Sequence, residues 1–183
     1  MIRGSSSLKQ PGSQDRVLFY SGLFLLMWLA LLLIMATSVA GAHVSALLQR
    51  HGLLERDVCG DGNCQFRAIS DQLFGSEAEH VLVRNRVAEE LRANPGTYSG
   101  FIFHTDYETY VAEVARPGSW GDHLTLQAAA NAFGFRCHVV SEALPDDFWE
   151  IVPVDVLVPT VVLLVHWPEV HYSSVQRRCS SVA

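Results

Sequence analysis

Cys64 lies where a polar, glycine-containing turn, residues 61–63, meets an apolar pattern of helical period, Phe66, Ile69 and Leu73. It is therefore expected in the first turn of a helix, where unpaired N–H groups and the helix dipole favour a thiolate. The turn consists of Asp61, Gly62 and Asn63. Its amides could converge on an oxyanion, so the pattern predicts a nucleophilic cysteine. Helix capping and core packing of a small cysteine are the alternative explanation.

A candidate base lies late in the chain, at His171. It follows the apolar run 161–165, which is expected to form a buried strand, so the imidazole would stand at a strand-to-loop junction. An early cysteine and a late histidine are typical of a thiol hydrolase. His166 and His123 are the competing histidines, and both positions have a structural explanation, at a strand end and near a helix N-terminus.

Three blocks of sequence resemble the ovarian-tumour (OTU) family of cysteine proteases, which are deubiquitinases. The blocks are Asp61-Gly62-Asn63-Cys64 with Phe66-Arg67, Trp120-Gly121-Asp122-His123, and Glu169-Val170-His171-Tyr172. They occur in the family's order over residues 52–176, and the middle block is most similar to that of plant-type members. The resemblance implies an α+β, papain-like fold with helices packed on a small central β-sheet. It also implies ubiquitin or polyubiquitin as partner, with no cofactor and no metal.

The same resemblance implies a role for each candidate site residue. Cys64 would attack the isopeptide carbonyl, and His171, where the family's His-Tyr motif falls, would transfer the proton. Asp61 belongs to the active-site motif, and Gly62 and Asn63 would shape the oxyanion turn. Two positions after the histidine the family usually has Asn or Asp, but this chain has Ser173, a possible orienter without charge.

Two alternatives to an active deubiquitinase stay open, the first because of the departure at position 173. One is a catalytically weak or silent, membrane-tethered module that binds ubiquitin. The other is a thiol hydrolase with substrates other than ubiquitin. A ubiquitin probe with an electrophilic C-terminus would separate the three.

The N-terminal region predicts a membrane segment. Residues 17–36 contain no charge, and as a helix these residues would span about 30 Å. A cleaved signal peptide is possible, but the apolar core is longer than usual, which favours an uncleaved anchor. Flanking charges weakly favour a cytoplasmic N-terminus, which with one crossing would place the catalytic domain in the lumen or outside the cell. Ubiquitin substrates favour the opposite arrangement, with the catalytic domain in the cytosol. We expect the second arrangement, or a soluble cytosolic protein if the segment is not retained.

The predicted divisions of the chain are a basic polar flank (1–16), the membrane segment (17–42), the OTU domain (52–176) and a polar tail (177–183).

The four cysteines and the charge exclude several other classes of protein. Cys59, Cys64, Cys137 and Cys179 have no zinc-finger spacing, and a disulfide framework would consume the nucleophile, so reduced thiols are expected. Because the whole chain has a net charge of −6 and residues 1–43 carry +2, the remainder carries −8. An acidic domain is a poor nucleic-acid binder, so we expect no nucleic-acid partner.

Periodicity and capping residues predict helices first and strands later. Helices are expected over 44–54, from Cys64 to Phe74, from Ser76 to Asn94, from Thr105 or Asp106 to Pro117, and from about His123 to Phe133. Strands are expected from Phe135 to Ser141, from Phe148 to Val152 and from Thr160 to His166. Residues 176–183 are expected to be a disordered tail.

Overall fold

The computed structural model describes residues 41–141, 148–154 and 160–178. The elements in chain order are α1 (41–50), β1 (Leu53–Arg56), α2 (Cys64–Phe74), α3 (His80–Ala93), α4 (Pro95–Tyr98), α5 (Tyr107–Val114), α6 (His123–Phe133), β2 (Arg136–Ser141), β3 (Trp149–Ile151), β4 (Val161–Trp167) and β5 (His171–Arg177). Short 3₁₀ turns occupy Glu77–Glu79 and Ser99–Phe101. The predicted α+β class is confirmed.

The five strands form one sheet in the order β1-β5-β4-β2-β3. Strands β2 and β4 are parallel, and every other neighbouring pair is antiparallel. Because side chains alternate across a strand, the sheet separates two apolar clusters. The larger cluster contains Phe66 and Tyr172, and the smaller one contains Val44 of α1 and Val175 of β5.

Helix boundaries follow the local signals read from the sequence. Helix α2 begins at Cys64 and ends before Gly75, whose φ of 72° is the left-handed conformation expected of a C-terminal glycine. The Asp106 carboxylate caps α5, and Asp122 forms a capping box with Thr125 at the start of α6. Ser76 also acts as a cap, but of a 3₁₀ turn, so α3 begins at His80 rather than directly after Ser76.

Two strands were not predicted. Residues 44–54 were expected to be one helix, but α1 ends at residue 50 and β1 follows from Leu53. The segment after His171 was expected to be a loop and then a tail, but it forms β5 as far as Arg177. Apolar alternation is weak in both segments; β1 pairs with β5, and β5 also pairs with β4.

No helix among the described residues is both long and apolar enough to cross a membrane. The predicted membrane segment lies outside the described residues, as do Cys179 and the end of the polar tail.

Candidate active site

The predicted position of Cys64 is confirmed, because it is the first residue of α2 and its side chain is partly exposed. Asn63 occupies the N-cap position, but its side chain makes no capping hydrogen bond to the helix. Instead, Oδ1 of Asn63 accepts hydrogen bonds from Nη2 of Arg84 at 2.7 Å and from the backbone N–H of Gly118 at 2.9 Å. The first backbone N–H groups of α2 therefore donate no hydrogen bond to the Asn63 side chain.

Gly62 is required by the conformation and the packing of the turn. Its φ is 81°, and a Cβ added there would lie 2.2 Å from the carbonyl oxygen of Gly118. Only glycine is small enough for this space, and residues with a side chain rarely adopt this backbone φ. The turn before Cys64 consequently lies directly against the loop that precedes the Trp120 block.

Asp61 is held by Arg67, one helical turn beyond the nucleophile. Arg67 donates from Nε at 3.1 Å and from Nη2 at 2.7 Å to the two carboxylate oxygens. Oδ1 of Asp61 also accepts the backbone N–H of Asn63 at 3.1 Å. The Arg67 hydrogen bond, with help from Asn63, holds the pKa of Asp61 well below its usual range. A carboxylate so paired can shape the turn, but it is a poor proton carrier.

Arg84 of α3 is a site component that the sequence analysis missed. The residue is 2% exposed, and its guanidinium lies 3.9 Å from the centre of the Phe66 ring. It donates to the carbonyls of Val114 at 2.7 Å and Ser119 at 2.8 Å, as well as to Asn63. Burial lowers the pKa of Arg84 to about 10. Its position on the apolar face of α3, with Val87, was the available signal.

One cleft of about 360 Å³ brings the three motif blocks together. The residues that line it are Cys64, Trp120, Gly121, Asp122, His123, Trp149, His166, Glu169, Val170, His171 and Tyr172. The candidate nucleophile and the candidate base therefore face the same space, although the chain separates them widely. The cleft is open to solvent, and Trp120 at its edge is 63% exposed.

The two competing histidines form part of the cleft wall. The His123 ring stacks on Trp149 with a centroid distance of 4.1 Å, and burial lowers the pKa of His123. The His166 ring stacks on Tyr172 at 4.5 Å. Both rings therefore belong to an aromatic part of the cleft wall.

The surroundings of the His171 ring differ from the expectation. Its Nε2 lies 3.0 Å from Oδ1 of Asp57, a residue of the loop between β1 and α2 that the sequence analysis did not single out. The predicted orienter, Ser173, is 1% exposed and lies opposite Val165 in the strand register. Among the described residues, no side-chain hydrogen bond joins Ser173 to His171.

Hydrogen bonds fix the nucleophile helix to the histidine strand. Ser174 of β5 donates to Oδ2 of Asp71 at 2.6 Å and accepts from Nε2 of Gln72 at 2.8 Å. Oε1 of Gln72 in turn accepts the backbone N–H of Leu163 at 3.1 Å. Asp71 and Gln72 lie two turns after Cys64, so this network fixes how α2 sits on β5 and β4.

Cys59 and Cys137, like Cys64, are free thiols. Within the described ranges, no group of three or more His, Cys, Asp or Glu side chains is arranged to hold a metal ion.

A cysteine at a helix N-terminus and a histidine at the start of a strand that face one cleft are an arrangement typical of papain-like thiol proteases. The chain belongs to the OTU-like cysteine proteases, because the sequence model of that family matches residues 59–172. The predicted family is thereby confirmed.

Known relatives agree with this assignment. The chain is 42% identical over 128 residues to OVARIAN TUMOR DOMAIN-containing deubiquitinating enzyme 9 of Arabidopsis thaliana, over 70% of this chain and 37% of that protein. It therefore spans less than two fifths of that relative's length.

Solved structures share the fold. The OTU domain of OTUD1 matches with a TM-score of 0.64 and 20% identity, over 74% of this chain and 93% of that one. An OTU domain in complex with ubiquitin matches with a TM-score of 0.58 and 21% identity, over 68% of this chain and 69% of that one.

Proposed function

We propose that this protein is a thiol-dependent deubiquitinase that hydrolyses isopeptide bonds between ubiquitin and protein lysines. The observation that carries the proposal is the shared cleft, which Cys64 and His171 line together with all three motif blocks. The deubiquitinating activity named for the Arabidopsis relative and the ubiquitin bound to a related OTU domain support ubiquitin as the substrate.

In the proposed reaction, His171 takes the proton of the Cys64 thiol, and the thiolate attacks the isopeptide carbonyl. The tetrahedral oxyanion is stabilised by the backbone N–H of Cys64 and by amides of the turn 61–63. His171 then protonates the leaving lysine amine, which leaves a thioester on Cys64. Water, deprotonated by His171, hydrolyses this thioester and regenerates the thiol. Asp61 maintains the turn through Arg67 and carries no proton.

The test is the reaction of the full chain, in detergent, with ubiquitin that carries an electrophile at its C-terminus. We expect a covalent adduct that disappears in Cys64→Ala and persists in Cys59→Ala, a matched control because Cys59 is an exposed thiol five residues earlier. Tight binding without an adduct would indicate the silent ubiquitin-binding module instead. Neither binding nor an adduct would indicate another thiol-hydrolase substrate.

We also propose that residues 17–42 anchor the protein in a membrane, with the OTU domain facing the cytosol. The uncharged run 17–36 and the location of ubiquitin substrates support this arrangement, against the weak bias of the flanking charges. The test is digestion by an added protease of the protein inserted in microsomes. Digestion of the OTU domain is expected, and its protection inside the vesicle would contradict the proposal.

A further inference from the structure

The serine at position 173 is a poor source of orientation for the catalytic ring. Ser173 is 1% exposed and pairs with Val165, which belongs to the apolar cluster between α1 and the sheet. A serine hydroxyl brings no charge to a neighbouring imidazolium. The ring of His171 needs a different acceptor if it is to keep one tautomer and one orientation.

The Asp57 carboxylate supplies an acceptor beside Nε2 of His171. Nε2 of His171 is shielded from solvent and lies 3.0 Å from Oδ1 of Asp57, at an angle outside that of a good hydrogen bond. No other polar atom of the described residues partners this nitrogen. The Cε1–Nδ1 edge of the ring faces the loop before Cys64, since both atoms are 3.9 Å from the position of a Cβ on Gly60.

The sheet register explains how Asp57 reaches this place. The ladder between β1 and β5 ends with Arg56 opposite Ser174, so Asp57 is the next residue, beside Ser173. Side chains alternate along a strand, which puts residue 57 on the same face of the sheet as positions 171 and 173. The backbone N–H of Val58 donates to Oδ1 of Asp57 at 3.0 Å and restrains the carboxylate.

We propose that Asp57 is the positioning residue that orients His171, in place of the residue two positions after the histidine. The carboxylate accepts the Nε2 proton, which leaves Nδ1 for the Cys64 thiol. The proposal deepens the proposed function and rests on Cys64 and His171 acting as a reactive pair.

The first measurement requires no ubiquitin. Iodoacetamide alkylation of the full chain at neutral pH is followed by tandem mass spectrometry, which locates the label on Cys64 and separates it from Cys59, an exposed thiol five residues earlier in the same peptide. Loss of a buried orienting aspartate from a catalytic triad lowers kcat about 10,000-fold. The Asp57 side chain is 85% exposed. We therefore expect a smaller fall in the Cys64 alkylation rate of Asp57→Ala, about tenfold to a hundredfold. Alkylation of the same residue at the rate of the unsubstituted chain would overturn the proposal.

Rescue separates orientation of the ring from a local structural effect of Asp57. In the Asp57→Ala background, Ser173→Asn introduces an uncharged acceptor beside the ring, and we expect it to restore part of the lost rate. Asp57→Asn keeps an acceptor oxygen without the charge, and its rate should lie between those of Asp57→Ala and the unsubstituted chain. Rates of Asp57→Asn and the double variant no higher than that of Asp57→Ala would overturn the proposal. The matched control is Glu89→Ala, which removes an exposed carboxylate paired with Arg86 on α3 and should leave alkylation unchanged.

The second measurement is hydrolysis of a fluorogenic ubiquitin C-terminal amide by the same variants. Orientation predicts a fall in kcat with little change in KM, whereas loss of substrate contacts would raise KM. If no variant hydrolyses ubiquitin but the alkylation pattern holds, the proposed function fails and the role of Asp57 stands. If the unsubstituted chain is active and Asp57→Ala equals it in both assays, only the role of Asp57 fails.

Discussion

Nη2 of Arg84 lies 2.7 Å from Oδ1 of Asn63, which connects a buried guanidinium on α3 to the turn that precedes Cys64. The same group reaches the carbonyl of Ser119, on the segment that leads to the Trp120 block. One arginine therefore holds two of the three motif blocks in their relative positions. The helix that carries Arg84 supplies none of the residues that line the cleft.

Arg84→Lys is expected to weaken both the fold and the reaction. A lysine ammonium has no planar fork, so it cannot satisfy the carbonyls of Val114 and Ser119 and the Asn63 amide together. We expect a loss of about 2 to 3 kcal/mol in the free energy of unfolding, measured with urea. The control is Arg86→Lys, in an exposed pair with Glu89, which should change this free energy by less than about 0.5 kcal/mol. Equal effects of the two substitutions would contradict the role given to Arg84.

Gly62→Ala is expected to remove adduct formation with the ubiquitin probe. The added methyl group would meet the Gly118 carbonyl at 2.2 Å, so the turn must move away from its position before Cys64. Gly75→Ala is a matched control, because Gly75 has a similar φ of 72° and no heavy atom within 4 Å of the new Cβ. Both variants should lose about 1 kcal/mol or more from the left-handed backbone, but only Gly62→Ala should lose the adduct. Normal labelling of Gly62→Ala would show that the turn tolerates displacement.

Asp61→Asn is expected to destabilise the fold in a manner that depends on pH. The pKa of Asp61 is lower in the folded chain than in the unfolded chain, chiefly through its hydrogen bond with Arg67. Its contribution is therefore fully present above the unfolded pKa, near 3.8, and is lost as the pH falls towards the folded value. The difference in the free energy of unfolding between the two proteins, measured with urea, should be larger at pH 7 than at pH 3. An equal difference in free energy at pH 7 and pH 3 would mean that the charge of the Asp61 carboxylate does not contribute to stability.

Ser174→Ala is expected to loosen the contact between α2 and β5. The substitution removes the short hydrogen bond to Oδ2 of Asp71, a residue that is 7% exposed and keeps its ion pair with Arg56 through Oδ1, and it removes one of two acceptors of the Gln72 amide. A buried group left unsatisfied costs about 1 to 3 kcal/mol, which urea unfolding would detect. Ser70→Ala, a comparison at a buried serine with one carbonyl partner, should cost less. A larger loss in Ser70→Ala would show that the Ser174 network is not the main connection.

The elements that sequence predicted well are those specified by neighbouring residues. Helix α2 follows from its apolar period and Gly75, and α6 follows from the Asp122 cap. Strand β5 escaped prediction because its buried positions include Ser173 and Ser174, which are polar. The hydroxyl of Ser174 is satisfied by Asp71, a residue distant in the chain. Such a strand has no apolar alternation to reveal it.

The candidate site divides in the same way. Cys64 and His171 were identified from motifs, and each motif is contiguous in the chain. Asp57 and Arg84 act through contacts set by the tertiary fold, the first through the end of a strand ladder and the second through a helix that packs behind the turn. No local sequence pattern predicts which carboxylate will contact the imidazole of His171. Arg84 did leave a trace, as a charged residue on an apolar helical face.

Strand β1 has a practical consequence for shortened versions of the protein. The family match covers residues 59–172, which contains none of β1 and only His171 and Tyr172 of β5. A fragment trimmed to those limits would lose α1, the edge strand β1 and most of the strand bearing the imidazole, and it would uncover Val140 and Val165, which pack in the same apolar cluster as α1. The smallest fragment that preserves the whole sheet runs from Leu53 to Arg177.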